Sequence, residues 1–148
     1  MSETAPKAAG LPLKLEHITK SFDGVPVLRD VSYEGEVRAL AIIGPSGGGK
    51  STLLRILGGL LAPDGGRLTV DGQPVSFDEE SLRAYRARLG FVFQDGGLFR
   101  HMSARQNIEV PLQAVHGYGE QAAAQRASEL LERLGLLAPA REEAPGIS

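Results

Sequence analysis

The stretch Gly44-Pro45-Ser46-Gly47-Gly48-Gly49-Lys50-Ser51-Thr52 fits the pattern G-x-x-x-x-G-K-[ST] at every position. Consecutive backbone N–H groups can wrap a polyphosphate only where the chain curls into conformations that side chains obstruct, and four of these nine residues are Gly. Lys50 can then extend a compact positive charge towards the β- and γ-phosphates. The Ser51 hydroxyl stands where it can ligate a Mg²⁺ bridging the same oxygens.

The neighbours on either side fit this reading. Before the loop, Val37 to Ile43 reads Val-Arg-Ala-Leu-Ala-Ile-Ile, the nearly continuous apolar run expected of a parallel strand covered on both faces. After it, Leu53, Leu54, Ile56, Leu57, Leu60 and Leu61 cover most sides of a helix whose one charge is Arg55, which predicts a largely buried element. The helix opens on the loop, so its positive N-terminal end adds to the attraction for an anion.

Composition narrows the class. The chain has 148 residues, 42% of them hydrophobic, which is enough for one modest domain with a core. Sixteen basic against eighteen acidic residues give a net charge of −2, so no nucleic-acid footprint and no charge-driven membrane surface is expected. There is no Cys, hence no disulfide and no thiolate metal site. No window approaches the roughly eighteen apolar residues of a membrane span, so direct membrane insertion is not expected.

Along the chain, residues 1 to about 11 are polar and Pro-bearing and read as a disordered leader. Leu13, Leu15, His17 and Thr19 alternate with Lys14, Glu16, Ile18 and Lys20, which predicts a first strand. Phe22 precedes an Asp23-Gly24 turn, and Val25 to Tyr33 can supply a second strand, so a small antiparallel sheet is expected ahead of the loop. The helix after the loop should stop near Leu61, before Pro63-Asp64-Gly65-Gly66. Arg67 to Val70 reads as a strand, joined through the hairpin dipeptide Asp71-Gly72 to Gln73 to Phe77. Asp78 to Ala87 has a cap and helix formers, and Leu89 to Phe93 forms a further apolar run ending at Gln94. Ser103 looks like the N-cap of a helix running towards Val110, which Pro111 interrupts or kinks. From Glu120 to Leu134, Ala123, Ala127, Leu130, Leu131 and Leu134 form one helical stripe, with Gly135 as its stop.

The phosphate loop, Phe22 about twenty residues before it and Phe91-Val92-Phe93-Gln94 about forty after it together resemble the nucleotide-binding subunit of ATP-binding cassette (ABC) transporters. Leu98-Phe99-Arg100-His101-Met102-Ser103 and Asn107-Ile108 also fall where that family follows its glutamine loop with comparable residues. The resemblance runs from roughly Leu13 to Gly135. It implies an α/β fold of the P-loop NTPase type, with an N-terminal antiparallel β segment and the start of a helical subdomain. On that division residues 12–94 are the nucleotide-binding core and 95–137 part of the helical subdomain.

The resemblance also implies roles. Gly44, Pro45, Ser46, Gly47, Gly48, Gly49, Lys50, Ser51 and Thr52 would hold ATP, and Phe22 would stack on its adenine ring. Ser51 and Gln94 would reach Mg²⁺, and Lys50 and Gln94 would serve catalysis, an amide being both donor and acceptor. The alternatives are a strand-end packing role for Phe22 and an ordinary solvated loop for Gln94. His101 reads as a loop residue, not a catalytic one; Lys14 and Arg105 read as solvated faces.

Such a subunit further needs a Leu-Ser-Gly-Gly-Gln signature, an apolar strand ending in Asp-Glu and a later histidine, and Ser148 falls about where the signature would begin. The expectation is therefore a C-terminally truncated ATPase domain that binds ATP and Mg²⁺ and lacks its catalytic base. Its partners would be a transmembrane permease subunit and a second ATPase subunit, on the inner, cytoplasmic face of the membrane. Its cargo would be amino acids, or else phospholipid on a second reading. A soluble P-loop kinase or GTPase is the rival class; its Asn-Lys-x-Asp motif is not found in the sequence.

Overall fold

Leu13 and Leu15 point inward from the first strand, and the next residue to do so is Ile18, not His17. The reason is a bulge. In the computed structural model, which describes residues 10–93 and 96–136, Leu15 pairs with Tyr33 but Ile18 pairs with Val31, so the first strand carries one extra residue. His17 takes it up at φ 52°, and the partner strand answers with its own extra residue, Asp30, at φ 61°. The two are joined by a 2.6 Å contact between His17 Nδ1 and Asp30 Oδ1. The strict alternation through His17 and Thr19 is thereby corrected: after the bulge the phase inverts, and Ile18 is fully buried.

The chain divides into two units, Met1–Gly90 and Phe91–Ser148. In the first, strands β1 (Leu11–Phe22), β2 (Val25–Val37), β3 (Gly65–Val70) and β4 (Gln73–Pro74) form an antiparallel sheet in the order β2-β1-β3-β4. Helix α1 (Lys50–Leu57) contributes Ile56 to the core made by Leu13, Leu15, Ile18, Leu28 and Leu68. Helix α2 (Glu79–Arg86) is capped by Asp78, whose side chain accepts from Ser81 N at 2.9 Å, and it buries Leu82. Tyr85 of α2 donates its hydroxyl to Leu57 O at 2.6 Å, and Arg86 Nε donates to Gly59 O at 2.8 Å, so α2 is bonded to the end of α1.

Several boundaries differ from expectation, each for a local reason. β2 runs past the expected Tyr33 to Val37, because Gly35 and Glu36 still pair with Leu13 and Pro12 in the ladder. The apolar run beyond it is not a strand: residues 38–45 carry no ladder, and Ile43 is 90% exposed. A parallel strand exists only through neighbours that bond to it, and no strand among the described residues pairs with that run. Helix α1 ends at Leu57, before Leu61, because Gly59 adopts φ 66° and closes the helix by two bonds. Leu60 N donates to Arg55 O at 2.8 Å and Gly59 N to Ile56 O at 2.9 Å. The helix is also less buried than its composition suggests, since Leu54 is exposed, as is Leu60 just beyond its end. β4 is only two residues long, with one further bond from Val75 N to Leu68 O at 2.9 Å beyond it. Leu89 to Phe93 forms no strand over its described residues, and Val92 is fully exposed.

The second unit holds α3 (Ala104–Ala114) and α4 (Glu120–Arg133). A reciprocal capping box starts α3: Ser103 Oγ accepts from Gln106 N, and Gln106 Oε1 accepts from Ser103 N. Pro111 does not end α3, which continues to Ala114; Val115 N still reaches Pro111 O at 3.0 Å. Ala123, Ala127 and Leu131, spaced by four, are the buried face of α4, and Gly135 at φ 67° closes it. Leu134, expected on the stripe, is exposed.

Candidate functional site

The Gly44–Thr52 segment is curled. Gly44, Gly47 and Gly49 have positive φ, and Gly48 N donates back to Pro45 O at 3.2 Å. Gly49 then caps α1, accepting the first helical bond from Leu53 N at 2.9 Å. Gly49 is the most tightly enclosed glycine of the loop: a Cβ there would lie 2.8 Å from Leu28 Cδ2 and 3.1 Å from Val27 O, whereas one at Gly48 would meet only the loop's own Pro45, at 3.1 Å from its O. By contrast, at Gly44 and Gly47 a Cβ would meet nothing within 4 Å, so the loop is anchored on its β2 side and open at its crown.

Lys50 is the first residue of α1, yet its side chain folds back over the loop. Its Nζ donates to Gly44 O at 3.0 Å and to Pro45 O at 2.6 Å. This keeps an ammonium group beside the loop backbone. Ser51, next in the first helical turn, is exposed, and Thr52 is half-buried. The first turn of α1 has no acidic residue to compete for a cation or repel an anion. A curled run of amides, a positive charge and a free-standing hydroxyl at a helix N-terminus fit a metal-bound polyphosphate in the chemistry of their donors.

Phe22 closes β1, where it pairs with Val25 across the Asp23-Gly24 turn. Its ring is 44% exposed, with Lys20 Nζ 5.7 Å from its centroid. Gln94 lies outside the described residues. In the second unit His101 sits edge-on to Phe99 at 6.1 Å between centroids, a packing contact within its loop.

One structural residue in the sequence pattern acquires a reason here. Asn107 Oδ1 accepts from Phe99 N at 2.7 Å, while its Nδ2 reaches Phe99 O, Met102 O and Ser103 O at 3.1, 3.1 and 3.0 Å. The amide therefore clamps the loop ahead of α3, which only a donor–acceptor side chain can do. Sequence reasoning missed Asp64, whose carboxylate joins Lys20 and Ser21; its place in a Pro-Asp-Gly turn gave it no sign of a long-range role.

A loop that fits G-x-x-x-x-G-K-[ST] and opens directly into a helix is the phosphate-binding motif of the P-loop class. Residues 30–146 match the family model for ABC transporters. The chain belongs to the ABC transporter family of ATP-binding domains. It is 42% identical over 129 residues to the lipoprotein-releasing system ATP-binding protein LolD of Bacteroides thetaiotaomicron, which covers 84% of this chain and 58% of that one. Relatives at 38% identity include an Fe(3+) ions import protein of Pseudomonas fluorescens and a methionine import protein of Brucella abortus, covering 84% and 88% of this chain and 34% and 36% of theirs. Among solved structures, cbiO1 from Clostridium perfringens, part of the ABC transporter complex cbiONQ, aligns with a TM-score of 0.70 at 28% identity over 86% of this chain and 52% of its own. A dimeric ATP-binding cassette in a post-hydrolysis state bound to ADP and Pi aligns with a TM-score of 0.66 at 30% identity over 81% and 56%. The chain thus spans between about a third and three-fifths of the length of these relatives.

Proposed function

We propose that this chain is the nucleotide-binding part of an ABC transporter ATPase subunit, with Gly44–Thr52 holding the phosphates of ATP. The observation that carries this is the loop itself: curled, backed by β2 through Gly49, and roofed by the Lys50 ammonium. Loop amides bind the phosphate oxygens, and Lys50 exchanges its two carbonyl partners for the β- and γ-phosphates. The Ser51 hydroxyl would help hold a Mg²⁺, which when bound supplies charge neutralisation. By the family resemblance Phe22 would stack on the base, and Gln94 would serve the metal and the attacking water. Catalysis requires a partner ATPase subunit and the carboxylate and signature residues that the family supplies beyond these motifs.

Coupling to transport then rests on a transmembrane permease. No helix among the described residues is long and apolar enough to cross a membrane, so the proposed location is peripheral, on the cytoplasmic side. For cargo, amino-acid import has the methionine import relative in its favour. Lipoprotein release is the second reading, favoured by the higher identity to LolD. Co-purification of the native permease and identification of its cargo decides between them.

The binding reading is tested by titrating a fluorescent ATP analogue with and without Mg²⁺. Lys50→Ala should abolish binding. Ser51→Ala should remove the Mg²⁺ dependence while leaving weak metal-free binding. Full affinity in Lys50→Ala would overturn the assignment of the loop.

A further inference from the structure

The end of β1 is held from outside its own ladder. Ser21 pairs with Pro26, and Pro has no N–H to offer. The register also shifts between Lys20 and Ser21, so the strand is weakest just before Phe22. Asp64, in the turn that leads into β3, ties this end of the strand down with bonds of its own. Its Oδ2 accepts from Ser21 N at 2.7 Å, its Oδ1 accepts from Lys20 Nζ at 2.6 Å, and its own N–H donates to Thr19 O at 2.9 Å. Three successive residues ahead of Phe22 are thereby pinned by one turn residue.

Lys20 carries the constraint to the ring. Its side chain is only 14% exposed, and its ammonium lies over Phe22 at 5.7 Å from the centroid. A cation over an aromatic face restrains the ring and draws electron density from it, which suits the ring to stack on an electron-rich heterocycle. Neither Lys20 nor Asp64 belongs to the phosphate loop.

We propose that Asp64 is a positioning residue for the base platform: by anchoring Lys20 and Ser21 it holds Phe22 in place, and so gives the site its preference for a base-bearing nucleotide over bare polyphosphate. The proposal rests on the reading above in which Phe22 stacks on the nucleobase.

The test compares the affinity of the purified chain for ATP and for inorganic tripolyphosphate, by calorimetry, in wild type, Phe22→Ala, Asp64→Asn, Asp64→Glu and the double variant Phe22→Ala/Asp64→Asn. Asp64→Asn should weaken ATP binding by up to the worth of one base–aromatic stack, between about 5-fold and 150-fold, and leave tripolyphosphate binding unchanged. Asp64→Glu should recover part of the loss. The double variant should bind ATP no worse than Phe22→Ala alone, since the two changes remove one interaction. If Asp64→Asn weakens both ligands equally, or adds fully to Phe22→Ala, the residue is an ordinary brace and the proposal fails. If Phe22→Ala itself leaves ATP affinity unchanged, the base-platform reading fails and takes the proposal with it. Where thermal melts show Asp64→Asn unfolded, Lys20→Met carries the test, since it removes the ammonium and keeps the Ser21–Asp64 bond. An unchanged ratio of ATP to tripolyphosphate affinity in Lys20→Met overturns the proposal equally.

Discussion

Gly49 backs directly onto Leu28: a side-chain carbon at position 49 would lie 2.8 Å from Leu28 Cδ2. Leu28 is a core residue of β2, and β2 begins at Val25, the ladder partner of Phe22. The loop that opens α1 and the hairpin that carries Phe22 are therefore set against the same strand. Gly49→Ala meets both a clash and an unfavourable φ of 80°. It should destabilise the first unit by about 1–3 kcal/mol and weaken ATP binding at least as much as stability predicts. Urea unfolding with and without nucleotide checks both.

Gly66 faces the bulge. A Cβ there would run into Glu16 O and lie 2.5 Å from His17 O, backbone atoms that cannot swing away. Gly24 also has positive φ, but its Cβ would meet nothing within 4 Å. Gly66→Ala should thus lower the unfolding midpoint clearly more than Gly24→Ala, whose cost is the backbone alone, about 1 kcal/mol. Equal midpoints would show that the bulge relaxes.

The Asp64 carboxyl is held below the usual carboxylate range, first by the Lys20 hydrogen bond and then by Ser21 N–H. The Asp78 carboxyl is held well below it, first by Ser76 and then by Ser81 N–H. A carboxyl with a depressed folded pKa stabilises the fold above its unfolded pKa, about 3.9, and that contribution is lost as pH falls through the folded value. Wild type should therefore melt higher than Asp64→Asn at pH 7, with the gap closing as pH drops below about 4. Thermal melts across that window measure it; a gap that widens towards acid contradicts the sign.

Asn107 satisfies four backbone groups around its loop. Asn107→Ala takes these bonds away, although Phe99 O keeps Met102 N and Ser103 O keeps the backbone N of residue 107, and should cost the second unit about 1–3 kcal/mol. Asn107→Asp keeps the acceptor for Phe99 N and loses the donors, so its amide exchange at Phe99 should stay slower than in the Ala variant. Hydrogen exchange resolved by residue distinguishes the two.

The 148 residues on their own should bind ATP without turning it over above background, since Asp78, followed by Glu79, is committed to capping α2 and no Leu-Ser-Gly-Gly-Gln segment is in the sequence. Phosphate release measured beside Lys50→Ala is the check. Robust turnover that Lys50→Ala abolishes would refute this expectation.

Much of the molecule is written in short-range patterns. The phosphate loop, the Asp71-Gly72 hairpin, the Ser103 cap and the Gly135 stop are each determined by a few adjacent residues, because backbone φ, capping bonds and turn closure act within one turn of chain. Family membership follows from the same local motifs. Tertiary structure decided what depends on distant partners. Ile18 took the core place that alternation assigns to His17, because paired bulges in β1 and β2 compensate one another. Residues 38–45 did not become a strand, since apolar content cannot make a ladder without a neighbour to bond. Asp64 acquired its role only when a turn 43 residues away in sequence came to rest beside Ser21.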